Sequence, residues 1–184
     1  MSKFPNKQFQ GKLYVFDHLA PAQMQVSLNS QRTNFVDLHV TYGCHCFTEE
    51  FRNGFHTEHH RYTYSGELRA FDPSRYACSL QLPLVVEAML GGRVYHADKS
   101  YTYVAQITLP SADGTQSYSV FFSLEKDRQV ERPALKMYIK SAYLKPLVAQ
   151  ANAQSWRFVS LAGDISGAFT PKEKKSKPKK KKTP

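Results

Sequence analysis

Between residues 99 and 146, hydrophobic and polar residues alternate with a period of two over three successive runs. In the first run Tyr101, Tyr103, Ala105, Ile107 and Leu109 fall on one face, and Thr102, Gln106 and Thr108 on the other. In the second, Tyr118, Val120, Phe122 and Leu124 alternate with Ser117, Ser119, Phe121 and Ser123. In the third, Leu135, Met137 and Ile139 alternate with Lys136, Tyr138 and Lys140. A side-chain period of two belongs to half-buried strands. The polar, turn-forming connections at 110–115 and 126–133 predict that the three form an antiparallel meander. One face then packs on a core, while the other presents hydroxyls, Phe121 and a Lys-Tyr-Lys strip. A solvated face with lysines for solubility is the competing reading of that strip.

Upstream, residues 1–12 are polar and predict a flexible N-terminus. Residues 24–28 and 35–42 alternate like the arms of a hairpin. The stretch 48–64 is polar and dense in histidine, and reads as irregular or marginally extended. Asp72 before Pro73 is a helix-start signal, with Asp72 as N-cap and Pro73 at the first helical position. The helical pattern continues to Leu90; Pro83 either kinks it or restarts it, and Gly91-Gly92 ends it. After the meander, 147–154 predicts a short helix and 156–161 a closing strand. The fold class is therefore α+β: a mainly antiparallel sheet with one broken helix packed on it and a disordered basic C-terminal tail. The predicted organisation is a flexible 1–12, a single domain over 13–170 and a tail over 171–184. Within the domain, 13–64 is the β-rich part and 65–170 the helix and meander.

Charge changes this picture less than its total suggests. The chain of 184 residues has a formal charge of +10, but eight lysines and one glutamate lie in 171–184. The rest carries 17 Lys and Arg against 14 Asp and Glu, so basicity is mostly a property of the tail. That tail has nothing to bury and repels itself. It would bind any polyanion in a salt-dependent way, and solubility or nonspecific anchoring is the preferred reading of it. Three cysteines do not make a disulfide framework. With no apolar leader and no apolar run of membrane-spanning length, a cytoplasmic protein without a membrane partner is expected.

Three further constellations bear on chemistry. Cys44, Cys46, His56 and His59 form a conventional zinc donor set, although one residue between the cysteines is fewer than the usual two to four. On a strand Cys44 and Cys46 share a face about 6–7 Å apart, and His45 faces the other way. The competing reading is two buried cysteines beside a surface histidine cluster. On the helix, Arg75 and Ser79 are four apart and share a face, with Arg69 just upstream. This polar face near a helix start suits phosphate, or else Arg75 pairs with Asp72 or Glu67. On the outer sheet face, Lys136, Tyr138 and Lys140 lie near Phe121, with His96 upstream. Cleaving RNA without a metal needs a base, an acid and cations to offset phosphate charge, and a flat aromatic can stack a splayed base. Ser141 falls on the core side by parity unless a bulge intervenes.

A helix followed by three strands, with Phe121-Phe122-Ser123 in the middle strand and Ser141-Ala142-Tyr143 closing the last, resembles the RelE/barnase/colicin-type ribonuclease toxins of bacterial mobile elements. It is also similar to bacterial proteins that carry Arg75-Tyr76-x-x-Ser79-x-x-Leu82-Pro83 before the same strands. The likeness covers about residues 66–146. It implies a bacterial or phage-derived protein with a nucleic-acid-cleaving fold, its site built from basic and hydroxyl residues of helix and sheet.

Two functions follow as expectations. The first is metal-independent RNA cleavage needing no cofactor, with Arg75, His96, Lys136, Tyr138 and Lys140 as catalytic residues. Arg69, Ser79 and Phe121 then contact the nucleic acid, RNA rather than DNA, and an inhibitor protein is a further partner. The second is a noncatalytic nucleic-acid- or protein-binding module with zinc at Cys44, Cys46, His56 and His59.

Overall fold

A computed structural model of the chain describes residues 2–97, 102–111, 114–145 and 154–169. In chain order the strands and helices are β1 (Lys7–Phe9), β2 (Lys12–Tyr14), β3 (Ala22–Ser27), β4 (Phe35–His45), β5 (Thr48–Glu50), β6 (Arg61–Tyr64), β7 (Glu67–Phe71), α1 (Pro73–Ser79), α2 (Leu82–Leu90), β8 (Arg93–His96), β9 (Thr102–Ser111), β10 (Gly114–Lys126), β11 (Ala134–Leu144), β12 (Ser155–Arg157) and α3 (Phe158–Ser166). The fold is α+β, as the patterning predicts. Its main sheet has the order β12-β8-β9-β10-β11-β4-β3, and a three-stranded sheet has the order β5-β7-β6.

The predicted meander is the centre of the main sheet, with β9, β10 and β11 paired antiparallel. Its apolar face carries Tyr118, Val120, Phe122, Leu135, Met137 and Ile139, all buried. The helices α2 and α3 cover the core. Leu82, Val85, Val86 and Met89 of α2 recur at helical spacing and are buried, and Phe158 of α3 meets Phe122 with ring centroids 6.2 Å apart.

Four features differ from the sequence reading. First, the sheet is mixed, because β11 pairs with β4 in parallel while its other strand pairs are antiparallel. A parallel neighbour needs a long crossover, and the small sheet, α1 and α2 all lie between β4 and β11 in sequence. Second, 72–90 holds two helices, not one broken helix. Asp72 does cap α1, accepting from the Ser74 and Arg75 amides at 2.8 and 3.2 Å. Pro83 has no N–H and would crowd the carbonyl of Ser79, so α1 stops there and α2 starts with the proline in its first turn.

Third, the N-terminus is not loose: β1 and β2 pair as a hairpin, and Phe4 and Phe9 are buried. Fourth, 156–161 is not a strand throughout. After β12, the spacing of Phe158, Leu161 and Ala162 matches a helical face and buries as α3. The expected helix over 147–154 lies almost wholly outside the described residues, and the tail over 171–184 entirely so. No helix among the described residues is long and apolar enough to cross a membrane.

A second concentration of apolar contact joins the hairpin, the small sheet and α1. Phe16 stands 4.1 Å from Phe47, centroid to centroid, and also meets Phe4, Tyr62, Phe71 and Tyr76. Removing the Phe16 ring leaves a cavity among neighbours fixed by three different elements. Phe16→Ala is expected to cost about 3–5 kcal/mol, read as a lower urea midpoint at unchanged slope.

Candidate metal centre

The ends of the parallel strands β4 and β11 are irregular, and this irregularity builds the site. On β11, Phe122 pairs with Ile139 and Phe121 with Ser141, so Lys140 is an extra residue against β10. On β4, Tyr42 pairs with Ile139 and His45 with Ser141, so Gly43 and Cys44 together oppose Lys140. Such a bulge resets the alternation of faces. Ser141 leaves the core side assigned by parity and joins Phe121 and His45 in one row.

Gly43 is required at this irregularity. A Cβ there would stand 2.6 Å from the Tyr138 Oη and 2.9 Å from the Lys140 carbonyl oxygen. The phenol of Tyr138 therefore fills the space a side chain would take, immediately before Cys44.

Beside it, the Cys44 Sγ, a His45 ring nitrogen and a Glu67 carboxylate oxygen all lie within 4.8 Å of one another. Glu67 opens β7, and each of its oxygens is 3.0 Å from His45 Nε2. Cys44 is buried, whereas the His45 and Glu67 side chains are partly open to solvent, at 38% and 50%. Burial pushes the Cys44 thiol up, and the nearby Glu67 adds to the effect. Glu67 itself is held below the ordinary carboxylate value, first by its hydrogen bond from His45 and further by Arg69, against a smaller opposing effect of burial. Tyr138 is pushed up by burial, then by Cys44, Cys46, Tyr64 and Glu67. These residues can hold a metal ion.

Two arginines fix the backbone beneath the group. Arg69 donates to Thr48 Oγ1 at 3.3 Å and to Glu67 Oε1 at 3.2 Å, and Thr48 Oγ1 donates to the Cys44 carbonyl at 2.7 Å. Arg75 donates to the Thr48 and His45 carbonyls at 2.9 and 3.5 Å, pairs with Asp72 at 3.6 Å, and lies 5.0 Å over the Tyr143 ring. The turn that carries Cys44 and His45 is thus tied both to the small sheet and to α1.

A family model described as the YjaZ family matches residues 6–166. The chain belongs to the YjaZ family. No curated protein and no solved structure matches it. The match takes in the hairpin, both larger sheets, the three α-helices among the described residues and every residue of the Cys44–His45–Glu67 group.

Within this YjaZ-family fold the residues singled out from sequence do not converge on one point. Of the four expected zinc donors, Cys44 alone belongs to the group. Cys46 is fully buried, its thiol pushed up to about 12 by burial, with Sγ 3.8 Å from the Ile139 carbonyl. His56 is bound between Glu49 at 2.9 Å and the Arg52 amide at 2.9 Å, and His59 is exposed on a turn. His45 and Glu67 were not expected. Simple alternation turns His45 away from Cys44, and no local pattern links Glu67 to either.

The expected catalytic residues are also spread out. Lys136 pairs with Asp127 at 3.1 Å, and Lys140 donates to Thr102 Oγ1 at 2.6 Å. His96 is in register with Tyr103 and packs on Tyr103 and Trp156. Tyr103 pairs with the core residue Phe122, so His96 is on the opposite face from Tyr138. Ser79 is buried and donates to the Tyr76 carbonyl at 2.7 Å, leaving its oxygen to accept from His18 Nε2 at 2.9 Å. Its role is to join α1 to the segment before β3. Phe121 stacks on Tyr143, with centroids 5.4 Å apart and planes 21° from parallel.

The lowered Glu67 value has a pH consequence. Below the ordinary carboxylate range the unfolded chain binds a proton at this position that the folded chain resists, so stability falls as pH drops through the lowered value. In chelator, the urea midpoint of the wild type should fall more steeply below about pH 4.5, the ordinary value for a glutamate carboxylate, than that of Glu67→Gln. Parallel profiles would show that Glu67 makes no such contribution.

Proposed function

We propose that this chain is a metal-binding protein that holds one divalent ion of the zinc class through Cys44, His45 and Glu67. The observation that carries this reading is the convergence of a thiol, an imidazole and a carboxylate within 4.8 Å. In a tetrahedral zinc site, donor atoms at about 2.0–2.3 Å from the ion are roughly 3.3–3.8 Å from each other. Closing the group around an ion therefore takes side-chain movements on the order of 1 Å, with His45 and Glu67 already at 3.0 Å. Sulfur, nitrogen and oxygen together suit zinc and its neighbours rather than magnesium or calcium. Three protein donors leave a fourth position for an outside ligand, the pattern of reactive rather than purely structural zinc sites. Outer partners are also present: Arg69 reaches Glu67, and the Thr48 hydroxyl fixes the Cys44 carbonyl.

The expected measurement is one bound Zn²⁺ or Co²⁺ per chain, with a sulfur-to-cobalt charge-transfer band. Cys44→Ser should abolish that band. His45→Ala and Glu67→Gln should each weaken binding by more than the roughly 10–100-fold that losing an outer partner costs. Cys46→Ser and His59→Ala should leave affinity unchanged. Because Cys44 must give up its proton, apparent affinity should rise with pH. Failure to bind either metal, or a Cys44→Ser protein that keeps the band, would defeat the reading.

A second reading is the metal-independent cleavage of RNA. It is favoured by the half-buried Phe121–Tyr143 stack beside Lys140 and Ser141 on one sheet face. Arg75, however, is engaged with two carbonyls and Asp72, which removes the cation expected to meet phosphate. RNA cleavage by the chain in chelator that is lost in a folded Lys136→Ala/Lys140→Ala protein would favour this second reading. Intact RNA with the wild type would eliminate it.

A further inference from the structure

The metal reading leaves two questions: what occupies the fourth position, and why a tyrosine is held beside it. Geometry places Tyr138 against the residue that precedes Cys44. Its hydroxyl rests over the backbone of Gly43, in the space where any other residue would place a Cβ. Gly43 immediately precedes Cys44, so the phenol O–H lies beside the strand end that supplies two of the three donors. Among the described residues this hydroxyl bonds to no acceptor, and the side chain remains 41% exposed. A phenol at this place offers one hydrogen-bond donor to whatever enters from solvent.

The surroundings specify the sign of the entrant. A divalent ion on one thiolate and one carboxylate is electrically neutral, so a further anion needs extra positive charge nearby. Lys3 supplies one such charge: its Nζ lies 5.8 Å from the Tyr64 ring centroid and 5.9 Å from that of Tyr138. It has no carboxylate partner among the described residues, and with Phe4 at 5.5 Å three aromatic rings surround it. Arg69 brings a second cation to the Glu67 side. A donor hydroxyl and two cations around a zinc-class ion favour a ligand rich in oxygen acceptors.

We infer that Tyr138 is a positioning residue of this centre, donating a hydrogen bond to a small oxyanion, of the carboxylate or phosphate class, in the fourth position. This rests on the metal reading. Lys3 is the second contributor, acting by charge and not by ligation.

The test uses the full chain loaded with Co²⁺, whose visible absorption responds to a change of ligand. Acetate and inorganic phosphate are titrated separately at fixed ionic strength. At least one should change the spectrum saturably; acetate alone would identify the carboxylate class, and phosphate alone the phosphate class. Tyr138→Phe should weaken that anion by roughly tenfold or more, the worth of a hydrogen bond to a charged group, with Co²⁺ affinity unchanged. Lys3→Ala removes an exposed side chain and should weaken the anion without altering Co²⁺ affinity, even if Tyr138→Phe proves poorly folded. Anion binding equally tight in both variants, or no spectral response to either anion, would overturn the inference while leaving the metal site intact. A wild type that binds no Co²⁺ would instead defeat the metal reading, and this inference with it.

Discussion

The parallel pairing of β4 with β11 is the constraint on which the rest of the molecule depends. Regular pairing would have kept Cys44 and His45 on opposite faces of the sheet, and Ser141 in the core. The two strands instead fall out of register together, two residues of β4 against one of β11. The chain then leaves the main sheet at His45 and enters the small sheet through β5. A bulge of this kind bends the strand and re-aims its side chains. Here it brings a thiol and an imidazole from adjacent residues toward a carboxylate on a different sheet.

That irregular strand end is held by polar contacts as well as by the packing of Cys44, Cys46 and Phe47 in the core. Thr48 sits at the junction: its hydroxyl meets the Cys44 carbonyl and the Arg69 side chain, and its own carbonyl accepts from Arg75. Each of these groups would be costly to bury unpaired. The arginine that α1 directs at the strand end therefore supports the group without taking part in it. The same logic assigns Ser79 to structure, where it joins α1 to His18. An Arg-Ser helix face that suits phosphate in the sequence proves to be turned inward.

One continuous core with two concentrations of contact supports this arrangement. The main sheet buries its apolar face under α2 and α3, whereas the aromatic cluster around Phe16 and Phe47 welds the N-terminal hairpin to the small sheet and α1. Glu67 is carried by the small sheet and Cys44 by the main one, so the relative position of their donor atoms depends on how the two sheets share that core. Tyr138, on β11, rests on β4 in the space left by Gly43.

Local patterning was enough to determine the strands of the meander, the Asp72 cap and the helical face of α2, because each depends on periodicity or on neighbours a few residues away. It also indicated Cys44 and Tyr138 as chemically interesting. It did not reveal α3, whose short apolar face reads equally as a strand, or the hairpin at the N-terminus, where Phe9 and the preceding Phe4 find partners far along the chain. Parallel pairing, the bulge and the Cys44–His45–Glu67 group were decided by tertiary structure alone. Side-chain direction past a bulge depends on the partner strand, and a donor 22 residues away has no signature until two sheets bring it to the same place.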